Sequence, residues 1–317
     1  MSKAVLSRAK LTKVFWFFFS KKNFLLFLVG QAHAECVMNR VASVPITLWN
    51  ERIFLPVTIE GAPRMMFLDT GAGMTSLSQD TATSLSLLRD FDHTTDVFGV
   101  GGQESHLYIA QTNKMTLGDL VFSGKSFPVS AFSERMADGS AIGGLIGADL
   151  VSKYDLDIDI PHRRLGFWKV SGCSEIKPDW PGEASGTDMA VQPSRHVSLP
   201  VKLDGVRVDL LLDTGSPGLV VSTRAAARAG VSPEMLDESR PLQGHGINDR
   251  AFSAWLHVFP RLEVAGQVYG DARAVVVNSG RMKDGGDGLL GIAFLKRGRV
   301  WVSYATGRFY VEHGTAD

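Results

Sequence analysis

The sequence predicts a mainly β protein built from two homologous halves. Three observations support this fold class: 33 of the 317 residues are glycine, the apolar runs are short and often alternate with polar residues, and one pattern of residues occurs twice. Short alternating runs with glycine-containing breaks are typical of β-strands joined by turns. A long pattern that recurs at a fixed offset indicates that a whole structural unit was duplicated.

The duplication is clearest near the start of each half. Residues 55–61 read LPVTIEG and residues 199–205 read LPVKLDG, which is an offset of 144 residues (199 − 55). Eight residues after each final glycine stands the triplet Asp-Thr-Gly, beginning at Asp69 and at Asp213.

The same register continues through each half. Gly-Leu-Ile-Gly begins at Gly144 and Gly-Leu-Leu-Gly at Gly288, each 75 residues after the acid of its triplet (144 − 69 and 288 − 213). We therefore predict two homologous halves, at 35–170 and at 196–317. Residues 171–195 include a stretch rich in Pro, Gly and acidic side chains, which predicts a linker.

The apolar patterns predict the secondary structure within each half. Residues 55–59 and 201–203 alternate as half-buried strands do, whereas the apolar run before each Asp-Thr-Gly is continuous, as in a strand buried on both faces. Residues 81–88 and 223–229 are predicted to form short helices.

The N-terminus has the order of a targeting segment. Basic residues at positions 3, 8, 10 and 13 precede apolar runs at 14–19 and 24–29, and Ala32-His33-Ala34 follows. This order predicts a signal peptide at 1–34, cleaved after Ala34, and export to the periplasm or the exterior. An uncleaved interfacial anchor is the alternative. Neither run reaches the roughly 20 residues of a spanning helix, so no stable membrane span is expected once the signal is removed.

The sequence contains only two cysteines. Cys36 and Cys173 could form a disulfide in an oxidising compartment, or could remain unpaired, buried thiols.

The charge and the spacing of possible metal ligands exclude several classes of function. Lys+Arg and Asp+Glu both total 33, and this balance argues against nucleic-acid binding. No Cys/His set has zinc spacing, and the DGGDG stretch at 284–288 lacks the ligand spacing of an EF-hand. We expect neither metal nor cofactor.

The triplets place an acid at the end of each buried apolar strand, where an isolated carboxylate is costly. Two such acids can meet between the halves and share one proton, because like charges in contact do not both ionise easily. One carboxylate can then act as a base on a bound water, while the other, protonated, polarises a carbonyl. The threonine hydroxyl is suited to bracing the loop, and glycine lets the backbone approach the carboxylate.

These motifs resemble those of the pepsin-like and retroviral-type aspartic proteases over about residues 50–315. The resemblance implies a bilobal acid-protease fold, with two β-barrel-like halves and an active site between them, that hydrolyses peptide bonds without metal or cofactor. Asp69 and Asp213 are then the catalytic pair. Residues that support their loops are Thr70, Gly71, Ala72, Thr214, Gly215 and Ser216.

The resemblance also suggests two substrate-covering flaps. The flap residues of the first half are Gly99, Val100, Gly101 and Gly102, and the flap residues of the second half are Gly244, His245, Gly246 and Ile247. His245 touches substrate in this interpretation; the alternative is a solvated loop residue. The chain departs from the family at Ala148 and Ile292, where the retroviral type has an arginine, and Tyr108 matches the pepsin flap tyrosine poorly.

The triplets differ in the residue that follows them. Ser216 follows the second triplet and Ala72 the first. We expect the Ser216 hydroxyl to donate to Asp213 and keep it charged, so that Ala72→Ser would lower the pH optimum.

Two functions fit the sequence. The first is an exported, monomeric aspartic endopeptidase with a pseudo-two-fold axis, acting on a protein or peptide. The alternative is a catalytically inactive relative that binds a peptide or a partner in the cleft.

Overall fold

The computed structural model describes residues 35–98, 104–131, 134–238, 241–245, 251–278 and 286–313. The predicted signal peptide lies outside these residues, and its cleavage stays a prediction. In the part described, strands dominate and the helices are short, which confirms the predicted mainly β fold class.

The strands are β1 (Val37–Pro45), β2 (Thr47–Trp49), β3 (Arg52–Ile59), β4 (Ala62–Leu68), β5 (Ser76–Ser78), β6 (Leu88–Phe98), β7 (Glu104–Leu117), β8 (Leu120–Ser130), β9 (Ile142–Ile146), β10 (Asp155–Asp159), β11 (Arg164–Ser171), β12 (Ala184–Asp188), β13 (Ala190–Val191), β14 (Val197–Leu203), β15 (Val206–Leu212), β16 (Leu219–Ser222), β17 (Pro241–His245), β18 (Ala251–Val264), β19 (Gln267–Val277), β20 (Gly288–Leu290), β21 (Arg299–Ser303) and β22 (Arg308–Glu312). The helices are α1 (Gln79–Ser84), α2 (Ala148–Val151), α3 (Thr223–Arg228), α4 (Pro233–Asp237) and α5 (Ile292–Leu295).

Each half forms its own eight-stranded sheet. The strand order is β2-β3-β4-β9-β5-β8-β7-β6 in the first half and β13-β14-β15-β20-β16-β19-β18-β17 in the second. The additional pairings β3–β7 and β14–β18 curl each sheet back on itself. The two orders match strand for strand, so the sequence repeat is also a structural repeat.

The Gly-Leu-x-Gly strands lie beside the strands that carry the acids. β9 pairs in parallel with β4, and β20 in parallel with β15. A Cβ on Gly144 would stand 2.1 Å from the Ser76 carbonyl oxygen, and a Cβ on Gly288 2.0 Å from that of Val220. Glycine at these positions therefore allows the close backbone approach of β5 to β9 and of β16 to β20.

A third, six-stranded sheet joins the halves, in the order β1-β11-β10-β21-β22-β12. In its central antiparallel pair, β10–β21, Asp157 lies opposite Trp301. These residues are 144 positions apart (301 − 157), so they are equivalent in the repeat. Equivalent residues face each other only on a local two-fold axis, which therefore passes between these two strands.

Buried polar contacts hold the central pair together. Asp157 is buried and accepts from Arg299 Nε at 2.7 Å and Nη2 at 2.6 Å. Asp155, also buried, accepts from the indole N–H of Trp301 at 3.2 Å and from the hydroxyl of Ser303. The acids of the first half are thus satisfied by donors of the second, as buried charges require.

The predicted linker is ordered rather than a free tether. Its residues 184–188 form edge strand β12, which pairs with β22, and residues 190–191 form β13. Ile176 and Trp180 are buried in a cluster with Trp301 on the face of the shared sheet that lies away from the main core. The segment therefore covers one face of the shared sheet.

Cys36 and Cys173 form a disulfide with Cα atoms 4.4 Å apart. Next to it, Val37 of β1 pairs with Ser171 of β11, so the bond fastens the first strand to the start of the covering segment. The alternative of unpaired thiols is therefore wrong.

The helices agree with the sequence only in part. α3 lies where a helix was predicted, but α1 is shifted towards the N-terminus and ends at Ser84. The Ser78 hydroxyl accepts from the Thr81 N–H and so fixes the start, while Ser86, with φ +50°, turns the chain into β6. Within the described ranges, no helix has both the length and the apolarity needed to cross a bilayer.

Candidate active site

Asp69 and Asp213 stand directly after β4 and β15. The backbone N–H of Asp69 donates to the Ile146 carbonyl at 2.9 Å, and that of Asp213 to the Leu290 carbonyl at 3.0 Å. The Gly-Leu-x-Gly strand of each half thus fixes the position of that half's acid.

The two threonines lock the acid loops together. The Thr70 N–H donates to Thr214 Oγ1 at 3.0 Å, and the Thr214 N–H donates to Thr70 Oγ1 at 3.1 Å. The Thr70 hydroxyl donates to the Leu212 carbonyl, and the Thr214 hydroxyl to the Leu68 carbonyl, both at 2.7 Å. Both threonines are fully buried. These four reciprocal bonds hold the loops of opposite halves in one arrangement.

Backbone donors cradle each carboxylate. Asp69 Oδ1 accepts from the N–H groups of Gly71 and Ala72, both at 3.0 Å. Asp213 Oδ1 accepts from Gly215 at 2.8 Å and from Ser216 at 3.2 Å. Such donors stabilise the charged form of a carboxyl group.

Each triplet glycine makes room for the acid of the other half. A Cβ on Gly71 would stand 2.4 Å from Asp213 Cγ, and a Cβ on Gly215 2.6 Å from Asp69 Cγ. The two carboxyl groups are hydrogen-bonded to each other. The structure therefore brings together the pair of acids that the sequence singled out.

Burial raises the pKa of both acids. The negative charge of Asp213 raises the pKa of Asp69 further, and the hydrogen bond between the carboxyl groups acts in the same direction. For Asp213, the N–H groups of Gly215 and Ser216 and the hydrogen bond from Asp69 oppose the effect of burial. The pair titrates as a unit, and the pKa of Asp69 is raised more strongly than that of Asp213.

The expected role of the Ser216 side chain is wrong. Its hydroxyl donates to the Gly218 carbonyl at 3.2 Å, and only its backbone N–H reaches Asp213. Ala72 likewise contributes only its N–H. A hydroxyl at this position therefore gives no reason to expect that Ala72→Ser lowers the pH optimum. The pKa values of the two acids differ for other reasons.

Where the retroviral type has an arginine, other contacts brace the first loop. Asp149, next to Ala148, accepts from the N–H and the hydroxyl of Thr75, both at 2.7 Å, and Thr75 Oγ1 accepts from the Gly147 N–H at 3.0 Å. In the second half, the N–H of Ile292 donates to the Ser216 carbonyl at 2.9 Å.

Most flap predictions fall outside the described residues. Gly99, Val100, Gly101 and Gly102 follow β6 and precede β7 without being described, and the same holds for Gly246 and Ile247 after β17. The backbones of Gly244 and His245 pair with β18. Contact of these residues with substrate stays a prediction.

Tyr108 lies in β7 and is directed towards α1. Its hydroxyl donates to Gln79 Oε1 at 3.1 Å, and the Arg89 guanidinium lies 4.3 Å from the centre of its ring. The structure gives this tyrosine a packing role on the first half.

Comparison with known proteins assigns the family. The family model described as aspartyl protease matches residues 55–150 and 199–294, and so covers both halves at the offset of the repeat. The chain belongs to the aspartyl protease family. No curated protein matches its sequence.

A solved aspartic proteinase shares the fold of this chain. The aspartic proteinase from Irpex lacteus has 14% sequence identity and a TM-score of 0.51, and the match covers 88% of this chain and 98% of that one. A retropepsin-like aspartic protease from Rickettsia conorii has 15% identity and a TM-score of 0.31, over 43% of this chain and 97% of its own.

The motifs did not reveal His196, which lies beside the loop of Asp69. A Cβ on Gly73, in the Asp69 loop, would stand 3.5 Å from its Nε2 atom, and a positive charge on the imidazole would lower the pKa of Asp213. The repeat could have pointed to His196 from the sequence, because the equivalent position in the first half is Arg52 (196 − 144), which is also basic.

Proposed function

We propose that this aspartyl protease family member is an active endopeptidase that hydrolyses peptide bonds with the Asp69/Asp213 pair. The contact between the two carboxyl groups at the junction of the halves is the observation that carries the proposal. An inactive binder would not need two acids in contact, because their proximity disfavours ionisation of the pair.

The stronger rise in the pKa of Asp69 than in that of Asp213 supports an assignment of the two roles. Asp213, as the charged member of the pair, accepts a proton from a water molecule while the oxygen of that water attacks the peptide carbonyl carbon. Asp69, which carries the proton, donates it to the carbonyl oxygen. The tetrahedral intermediate collapses as the C–N bond breaks, the amine takes a proton from Asp213, and Asp69 recovers its own. The backbone donors of Gly71, Ala72 and Gly215 keep the carboxylates oriented throughout.

A cleavage assay tests the proposal. The purified protein, with its disulfide formed, is incubated with a fluorogenic peptide library and with unfolded protein substrates from pH 3 to pH 8. We expect pepstatin-sensitive cleavage that Asp69→Asn and Asp213→Asn each reduce by at least about 10³-fold. Asp119→Asn, in the exposed turn between β7 and β8, is the matched control and should cleave like the wild type.

The alternative function makes the opposite prediction. If the wild type cleaves nothing, or if the Asn variants cleave equally well, the enzymatic proposal fails. Peptide binding by such an inactive wild type, measured by calorimetry, would then favour the cleft-binding relative.

We also propose that the protein is exported and acts as a monomer. The N-terminal basic and apolar pattern supports export, as does the Cys36–Cys173 disulfide, because such bonds persist in oxidising compartments. Both acids come from one chain, so a second copy is not needed to complete the pair. N-terminal sequencing of the protein recovered from a bacterial periplasm should give Glu35 first, and light scattering should give the mass of one chain.

A further inference from the structure

We propose that His196 is a positioning residue of the active site, whose imidazole is held against the loop of Asp69 and influences the charge state of the dyad from there. This inference rests on the proposed function, since it concerns the charge state in which the dyad works.

The first support is the placement of the ring. His196 lies just before β14 of the second half, yet its Nε2 atom is buried and faces Gly73 of the first half's acid loop. The carbonyl oxygen of Ser194 faces the same glycine, 3.8 Å from where its Cβ would stand. The turn before β14 therefore packs directly on the loop that begins at Asp69.

The second support is that the ring is held in this place. Gln192 donates its N–H to the His196 carbonyl at 2.8 Å, and Arg195 donates to the Gln192 carbonyl at 2.8 Å. Arg195 has φ +72°, a left-handed conformation that closes the turn tightly. On the side chain, Nδ1 of His196 lies 3.1 Å from the Ser194 hydroxyl. Fixing both the backbone and the ring keeps the imidazole directed at the acid loop.

The third support is the contrast with the first half. Arg52, the repeat equivalent of His196, forms an ion pair with Glu134 at 2.5 Å and stacks 5.0 Å from the ring centre of Phe67. Its charge is therefore engaged elsewhere. The second half alone directs the basic residue of this position at the dyad, which makes the electrostatics of the two acids unequal.

The ring faces the acid loops, whose charged groups can be read from the sequence. The acid loops at 70–75 and 214–219 carry no titratable side chain, so Asp69 and Asp213 are the acids on this side. On its own turn the neighbour Arg195 is exposed. A protonated imidazole attracts the negative charge of Asp213, and that charge is the form in which Asp213 acts as a base.

The pH dependence of kcat/KM tests the inference. The acidic limb of the profile reports protonation of the charged dyad. Because His196→Gln removes the positive charge, it should move this limb to higher pH by about half to one unit while keeping the plateau rate within about threefold. His196→Lys, which restores a positive charge, should bring the limb back towards the wild-type position. His313→Gln, at an exposed histidine after β22, is the control and should leave the profile unchanged.

Two results would overturn the inference. One is an acidic limb at the same pH in His196→Gln and the wild type. The other is an equal loss of kcat/KM at every pH, which indicates a merely structural role. Thermal melts establish that each variant is folded.

A titration independent of activity separates this inference from the proposed function. The Asp carboxyl carbons are labelled with ¹³C, assigned with Asp69→Asn and Asp213→Asn, and followed by NMR against pH. A dyad midpoint higher in His196→Gln than in the wild type supports the role of His196 even if no substrate is cleaved. Coincident midpoints overturn it even if the protein is an active protease.

Discussion

The environment of each acid is built mainly from backbone groups. Two N–H groups of its own loop donate to one oxygen of each carboxylate, and the glycine of the opposite loop leaves the space that the carboxyl group fills. The side chains at positions 72 and 216 contribute no hydrogen bond to the acids among those described. At the residue scale, the two carboxyl environments are therefore alike in their backbone and differ in what surrounds them.

Ser216→Ala tests this description of the second loop. The hydroxyl donates to the Gly218 carbonyl and not to Asp213, so its loss should leave the acidic limb of the kcat/KM profile unchanged within about 0.2 pH unit. For the same reason Ala72→Ser is not expected to lower the pH optimum. A shift of the limb to higher pH in Ser216→Ala would show that the hydroxyl does reach Asp213 in the working enzyme.

Asp69→Asn should stabilise the folded protein at neutral pH. Burial and the charge of Asp213 raise the pKa of Asp69, so the folded state retains a proton that the unfolded chain releases above its ordinary pKa of about 3.9. The wild type therefore loses stability as the pH rises through this window, whereas the neutral amide does not titrate.

Urea unfolding at pH 3 and at pH 7 measures this effect. The stability of Asp69→Asn relative to the wild type should be greater at pH 7 than at pH 3 by at least about 1 kcal/mol, the equivalent of a pKa difference near one unit. Asp119→Asn, at an exposed acid, should show no such change. A relative stability that is the same at both pH values contradicts the raised pKa.

At the scale of elements, the acid loops depend on each other through Thr70 and Thr214. Thr214→Val keeps the shape of the side chain but leaves the Thr70 N–H and the Leu68 carbonyl without their bonds in a buried site. We expect a loss of about 2–4 kcal/mol in the free energy of unfolding by urea. Thr214→Ser should lose markedly less, because it keeps the hydroxyl, and Thr47→Val, at an exposed threonine of β2, should change stability by less than about 0.5 kcal/mol. Equal losses for Val and Ser would show that the methyl group matters rather than the hydrogen bonds.

The elements also show what the sequence could predict. The apolar runs and the 144-residue offset located the strands and the acids, because strand burial and the duplication both leave regular patterns. The start of α1 was missed although Ser78, and Ser222 in the other half, both carry a capping hydroxyl at that offset. The strands β12 and β13 and the position of His196 depend on contacts between the halves, and such distant contacts leave no local pattern.

At the scale of the whole molecule, the disulfide closes a loop of the chain that is 137 residues long and contains the first half. Removing it with Cys36→Ser and Cys173→Ser frees the unfolded chain and releases β1 at its N-terminal end. We expect a loss of about 2–5 kcal/mol in unfolding free energy, and hence a lower melting temperature.

A reductant provides the control for this prediction. Dithiothreitol should lower the melting temperature of the wild type towards that of the double Ser variant and should leave the variant unchanged. An equal melting temperature for the wild type with and without reductant, with the bond shown to be reduced by mass spectrometry, contradicts the stabilising role.

The pairing of Asp157 with Trp301 on the two-fold axis bears on the specificity of the contact between the two halves. If two copies of the first half met through this sheet, β10 would lie against β10, so that Asp157 would face Asp157 and Asp155 would face Asp159. Such a homodimer would bring three pairs of buried acids together without the donors of Arg299, Trp301 and Ser303, which would make it unfavourable. In the fused chain Arg299, Trp301 and Ser303 stand there instead. The central strand of the first half is thus complementary to that of the second half and not to a copy of itself.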